Sequence, residues 1–152
     1  MDLSVSNDRV LRIEDARDPD VWFELRAPDD LDRHPAILAI ANDLRAETTI
    51  EISAPWMGLP EFVVLFEEMA RDWRGWDGTK AWRSGVGDLE LRCMHDRLGH
   101  IGIEVDLRSF EFAGAREWRA VGRVTVEAGQ LDEIAREARE FFAPLAERPV
   151  NR

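Results

Sequence analysis

The chain is short of most features that would declare an activity. Its 152 residues hold a single cysteine, Cys93, which excludes an internal disulfide. Lying in the alternation Leu89, Leu91, Cys93, that residue reads as a small buried hydrophobe and not as a nucleophile. No run approaches the roughly 18 apolar residues of a membrane span, and the opening MDLSVSNDRV lacks a basic start followed by an apolar stretch. Neither membrane insertion nor secretion is expected, and a cytoplasmic location is. No serine sits in a Gly-x-Ser-x-Gly elbow and no glycine-rich loop precedes a helix, so an enzyme is not expected and no cofactor is implied. Internal repeats, low-complexity tracts and interdomain linkers are missing too, which leaves a single domain over 1–152 with an ordered core from about 9 to 142 and loose termini. Positive charge is scarce: 20 Lys and Arg stand against 31 Asp and Glu, a formal net charge of −11. Such a surface repels phosphate backbones and anionic lipid, so neither nucleic acid nor a membrane is an expected partner. It suits a basic protein partner; the plainer alternative is that the charge serves solubility.

What is present organises itself around Leu59–Trp82, LPEFVVLFEEMARDWRGWDGTKAW. Phe62, Leu65, Phe66, Met69, Ala70 and Trp73 recur at helical spacing, which predicts an amphipathic helix over about 60–73. Pro60 fits its first turn, Glu61 complements the positive end of its dipole, and Gly75 and Gly78 supply the turn that follows. Leu131, Ile134, Ala135, Ala138, Phe141 and Phe142 repeat the pattern in a second helix over about 129–142, with Asp132 and Arg136 paired on the wet side and Pro144 as the stop. Strand alternation runs through Leu11 and Ile13, through Val21, Phe23 and Leu25, and through Thr48, Ile50 and Ile52. Ala36–Ile40 reads as a strand in preference to a helix over Ile37–Leu44. Lys80–Ser84 adds a short strand, Ser84–Asp88 a flexible connector, Arg108–Ala115 a longer connection, and Trp118–Val126 a long last strand. The class implied is α+β: a mainly antiparallel β-sheet of about six to eight strands with the two helices packed on it.

The hairpin between the strands at Leu89–Cys93 and Ile101–Leu107 constrains its own register. Pairing His95 with His100 would place Leu91 opposite Glu104 and Leu89 opposite Asp106, burying carboxylates. A one-residue shift, with Cys93 opposite Ile101 or Ile103, restores matching faces and implies a five-residue loop or a bulge that takes in one histidine, with Gly99 at positive φ. In that loop, HDRLGH, the residues His95, Asp96 and His100 are the only set resembling a metal site, against the simpler reading of an Asx-type structural turn. Glu104 and Asp106, like Glu67 and Glu68, read as solvated charge. Among the tryptophans, Trp73 and Trp82 read as core. Trp76, in the turn RGWDG beside Asp77, is the first candidate for a partner contact, and Trp22, outward by strand parity, is the second.

The ordered set FxxLFEEMARDWRGWDGxxxW, LELRCMHDRLGH, IEVDLR, the isolated Trp118 and VTVEAGQLDEIAREAREFF resembles a family of small uncharacterised bacterial proteins over about residues 9–142. More distantly the layout is similar to WapI-type immunity proteins, which neutralise a cognate toxin by binding it. That resemblance implies a non-catalytic protein-binding module, an inhibitor of a basic toxin domain. The alternatives are a small-molecule or metal-binding domain using the His95–His100 hairpin and the Trp76 turn, and a homodimer joined through Trp22.

Overall fold

Leu11 and Ile13 turn into the core while Val10, Arg12 and Glu14 face water, as a half-buried strand requires. The same logic builds the whole chain in the computed structural model, which describes residues 9–28, 33–52, 60–110 and 116–146. The elements run β1 (Val10–Glu14), β2 (Val21–Arg26), β3 (His34–Ile40), β4 (Leu44–Ile50), α1 (Glu61–Arg71), β5 (Thr79–Arg83), β6 (Leu89–His95), β7 (His100–Ser109), β8 (Trp118–Glu127) and α2 (Leu131–Ala146). The expected loose ends before Asn7 and after residue 146, and residues 111–115 of the long connection, lie outside the described residues.

The α+β class and the eight strands agree with the alternation patterns. The strands do not join into one sheet, however. They form two antiparallel meanders, β1-β2-β3-β4 and β5-β6-β7-β8, and each meander is followed by one helix. In the second meander Cys93 opposes Ile103 and His95 opposes Ile101, the register that keeps carboxylates out of the core. Gly99 has φ 93° and Arg97 φ 63°, so the tight loop takes the left-handed conformations it needs.

The inner faces of the two sheets and the apolar faces of both helices share one core. The helices pack on each other, α1 also on β5 and α2 on β1, while β8 lies against β1 and β2. A chain of rings ties the layers together. Phe62 on α1 meets Trp82 of β5 edge-on at 5.2 Å and Phe142 of α2 at 5.6 Å, and Phe142 meets His34 of β3 at 5.5 Å. Fully burying Phe62 or Phe142 stabilises the fold by roughly 1.5–3 kcal/mol each. Where β8 crosses the first sheet only a glycine fits: a Cβ on Gly122 would lie 2.8 Å from Ile40 Cδ1 and 3.2 Å from Leu38 Cδ2.

Four local expectations change. Helix α1 ends at Arg71: the Asp72 amide makes the last helical bond, to Glu68 O at 2.9 Å, the Asp72 backbone then leaves helical geometry at φ −99° and ψ 31°, and the Gly75 amide turns onto Asp72 O. Trp73 therefore lies beyond the apolar stripe and is not core. Helix α2 continues past position 144 to Ala146; a proline there deletes one amide donor in the last turn without ending the coil. On its wet face Arg136 pairs with Glu133 and Glu140 instead of Asp132. The connector 84–88 is also held and not flexible, since buried Ser84 Oγ donates to Asp88 Oδ1 at 2.5 Å and accepts from the Leu89 amide at 3.1 Å.

Candidate functional site

The two motifs singled out in the sequence, RGWDG and HDRLGH, come together at one end of the second sheet. Thr79 opens β5 opposite Met94, next to the end of β6, so the turn 72–78 arrives beside the 95–100 hairpin. Trp76 Nε1 donates to Cys93 O at 3.2 Å, and its ring stands edge-on to His95 at 5.1 Å. The Arg97 amide donates to His95 Nδ1 at 2.7 Å, which leaves Nε2 as the protonated nitrogen, donating to Trp73 O at 2.8 Å. Arg97 also reaches back to Asp77 at 2.5 Å. Lys80 pairs with Asp72 at 2.9 Å and lies 5.3 Å from the Trp76 ring; its hydrogen bond holds the Asp72 carboxyl below the usual carboxylate range.

The hairpin is equally saturated. Asp96 Oδ1 accepts from the amides of Leu98 at 2.7 Å and His100 at 2.9 Å, and Oδ2 accepts from His100 Nδ1 at 2.9 Å. The His100 amide, then Leu98 and the imidazole, bring the Asp96 carboxyl down to about 2. His100 Nε2 in turn takes a 3.3 Å contact from the Arg17 guanidinium. All four imidazole nitrogens of His95 and His100 thus have protein partners. Among the described residues, no group of three or more His, Cys, Asp or Glu side chains could hold a metal ion. The geometry of His95, Asp96 and His100 is that of an Asx-type turn.

The candidate contact residues are redistributed. Trp76, expected to be the contact residue, is only 9 % exposed and belongs to the core; its indole N–H found a buried acceptor, which parity and periodicity could not reveal. Trp73 takes its place at 50 % exposure, with Arg74 5.1 Å from its ring. On the neighbouring hairpin Leu98 is 81 % exposed, and the Asp77 side chain is 97 % exposed. Trp22 is on the outer face of β2 as its parity implied, but it is half-buried, with the Arg12 guanidinium 3.9 Å from its ring. Trp82 is packed against the core as expected.

A third cluster went unseen in the sequence. Asp106, read there as solvated, is only 1 % exposed although it points to the outer face of the second sheet. Arg119 reaches it at 2.6 Å, Arg92 at 3.1 Å and Arg108 at 3.5 Å. Burial pushes its carboxyl up, but the hydrogen bonds from Arg119 and Arg92 outweigh that, and the net shift is downward. Arg92 is itself raised by Glu104 and Asp106. On the same face, at the hairpin end of the sheet, Arg17, Met94, His100, Gly102, Arg123 and Thr125 line an open cleft of about 260 Å³.

Residues 12–145 match the model of DUF6228, a family of unknown function. The chain belongs to this family. No curated protein and no solved structure matches it. In this DUF6228 protein the matched span begins within β1 and ends in the last turn of α2, so both meanders, both helices and the two joined turns fall inside it. No helix among the described residues is long and apolar enough to cross a membrane.

Proposed function

We propose that the protein is a non-catalytic protein-binding module whose contact surface is the pair of turns 72–78 and 95–100. One observation carries this reading: Trp73 and Leu98 are held out in water on backbone that is tied down by Trp76, His95, Asp96 and Arg97. Exposing an indole costs favourable burial, and a rigid platform lowers the ordering cost of docking it into a partner. Trp73 is the anchor, Leu98 the second apolar contact, and Asp77 part of a polar rim.

The finer reading is an immunity-type inhibitor of a basic toxin domain such as a nuclease. Its support is the net charge of −11, which speeds encounter with a cationic partner, and the distant similarity to WapI-type immunity proteins. Co-expression with polymorphic toxin domains encoded beside the reading frame tests it. Rescue of growth and a complex that survives gel filtration are expected, with Trp73→Ala weakening the complex by at least 2 kcal/mol, roughly thirtyfold. Binding that is indifferent to Trp73 and Leu98 would remove the proposed surface, and absence of binding across the panel would remove the toxin partner.

A further inference from the structure

The cleft beside the hairpin tip has an excess of hydrogen-bond donors. Arg123 has no hydrogen-bond or ion-pair partner among the described residues; its stem lies over Gly102, where a Cβ would meet its Cδ and Nε at 3.4 Å. The Arg17 side chain makes one 3.3 Å approach, to the His100 imidazole Nε2. A guanidinium carries five N–H donors and no acceptor, so most of this capacity is unspent. The nearby carboxylates are, by contrast, engaged elsewhere: Glu104, opposite Arg123, accepts from Arg92, and Glu127, opposite His100, caps the Gln130 amide. Asp96 gives both oxygens to the loop and to His100. Asp15, behind the cleft, accepts the Arg17 amide on Oδ1 and the Thr125 amide on Oδ2, each at 2.9 Å. The cleft also opens on the sheet face where, by strand register, Arg83, Arg92, Arg108, Arg119 and Arg123 face Glu90, Glu104, Asp106 and Glu127, five cations against four anions.

We infer that this cleft is a carboxylate-binding site, with Arg17 and Arg123 as the two cationic walls and the Thr125 hydroxyl as a further donor. Its volume of about 260 Å³ is below the usual range for whole small-molecule ligands and suits a single functional group. With Asp15, Asp96 and Glu104 close to Arg17 and Arg123, the second negative charge of a phosphate dianion is repelled, which favours a monoanion. The planar forks of two arginines match the planar carboxylate. Gly102 keeps the floor open, and no side chain has to move except Arg17, which leaves His100 for the ligand.

The test is an NMR titration of the intact chain, following the arginine Nε–H signals and the amides of Gly102 and Thr125. Sodium acetate is added at constant ionic strength with chloride as the control, and inorganic phosphate runs in parallel. Saturable shifts confined to Arg17, Arg123, Gly102 and Thr125 are expected with acetate, weakened about tenfold or more by Arg123→Gln. A blocked Gly-Glu-Gly peptide distinguishes the sources: binding at least as tight as acetate assigns the site to a partner's acidic side chain, and exclusion of the peptide assigns it to a free small carboxylate. Shifts that match chloride, tighter binding of phosphate, or an Arg123→Gln variant that binds acetate as well as the parent each overturn the proposal. Trp73→Ala should leave this titration unchanged, so the cleft and the protein-contact surface stand or fall separately.

Discussion

Alanine at Trp76 and alanine at Trp73 should cost unequal amounts of stability, and the size of the difference follows from burial. An indole buries on the order of 150–250 Å², worth roughly 4–6 kcal/mol at about 25 cal/mol per Å². Trp76 retains 9 % exposure, so nearly all of that contact disappears on truncation, together with the hydrogen bond to Cys93 O worth about 1 kcal/mol. Partial collapse of the site brings the expected cost of Trp76→Ala to about 3–5 kcal/mol. In a chain of this size that lowers Tm by about 6–20 °C, at roughly 2–4 °C per kcal/mol. Trp73, at 50 % exposure, has about half as much to lose, so Trp73→Ala should cost roughly 1–2 kcal/mol while removing the proposed partner anchor. Urea and thermal unfolding followed by far-UV circular dichroism, with equal m-values as a check on two-state behaviour, give both numbers. Trp76→Phe refines the result: it keeps most of the ring but takes the donor from the Cys93 carbonyl, for about 1–3 kcal/mol. Equal destabilisation by the two alanine variants, or a larger loss at Trp73, would refute the placement of these side chains.

Gly122→Ala should destabilise by about 1–3 kcal/mol in urea unfolding, because its Cβ collides with Ile40 between the sheets; a neutral or stabilising effect would mean that β8 does not cross β3 there. Burial pushes the Cys93 thiol up to about 12, so native protein should react with iodoacetamide at pH 8 on the order of a thousandfold more slowly than the urea-unfolded chain; comparable rates would contradict its position under β6. The Asp96 carboxyl, depressed to about 2, contributes stability that is fully present above its unfolded value near 4 and is lost as pH falls toward 2. A carbon-detected titration of its side chain should show the low midpoint, and Asp96→Asn should flatten the stability profile between about pH 4 and 2; a midpoint near 4 would dissolve the proposed turn. Asp106→Asn removes the one charge that Arg92, Arg108 and Arg119 share, and with those arginines part-exposed the cost should be about 1–2 kcal/mol in denaturant. No change would mark the cluster as fully solvated.

Much of the fold was legible because alternation reports which way a side chain faces. Leu89, Leu91 and Cys93 had to share a face with Ile101, Ile103 and Leu107, and this narrowed the partner of Cys93 to Ile101 or Ile103, of which Ile103 is the one observed. Facing does not report which strand lies across the core, so the division into two meanders had no signature in the pattern; Gly122 was its only local trace, and a glycine in a strand has several readings. The exchange of roles between Trp73 and Trp76 has a similar origin. Helical periodicity extended through Trp73, but the coil stops where the Asp72 backbone leaves helical geometry, and the chain then enters the turn that Gly75 and Gly78 accommodate with positive φ. The two glycines were visible, and counting back one turn from Gly75 would have ended the helix near Arg71. Asp106 was legible in principle: once Asp106 is set opposite Glu90 and Val121, Arg92, Arg108 and Arg119 become its diagonal neighbours on the same face.

The meeting of RGWDG with HDRLGH is a consequence of topology and not of sequence proximity. In an antiparallel meander the segment entering β5 and the hairpin leaving β6 must lie at the same end of the sheet, since Thr79 pairs with Met94 and His95 pairs with Ile101. Two turns brought together in this way would normally present a mobile surface. Here backbone polar groups are claimed across the junction, Trp73 O by His95 and Cys93 O by Trp76, while His95 also takes the Arg97 amide within the hairpin. The entropy of ordering these turns is therefore spent during folding, and a partner that docks on Trp73 and Leu98 would meet them already fixed. Such a platform favours slow dissociation over fast association, so truncating Trp76 to Phe should raise the off-rate of a complex without altering any residue that touches the partner.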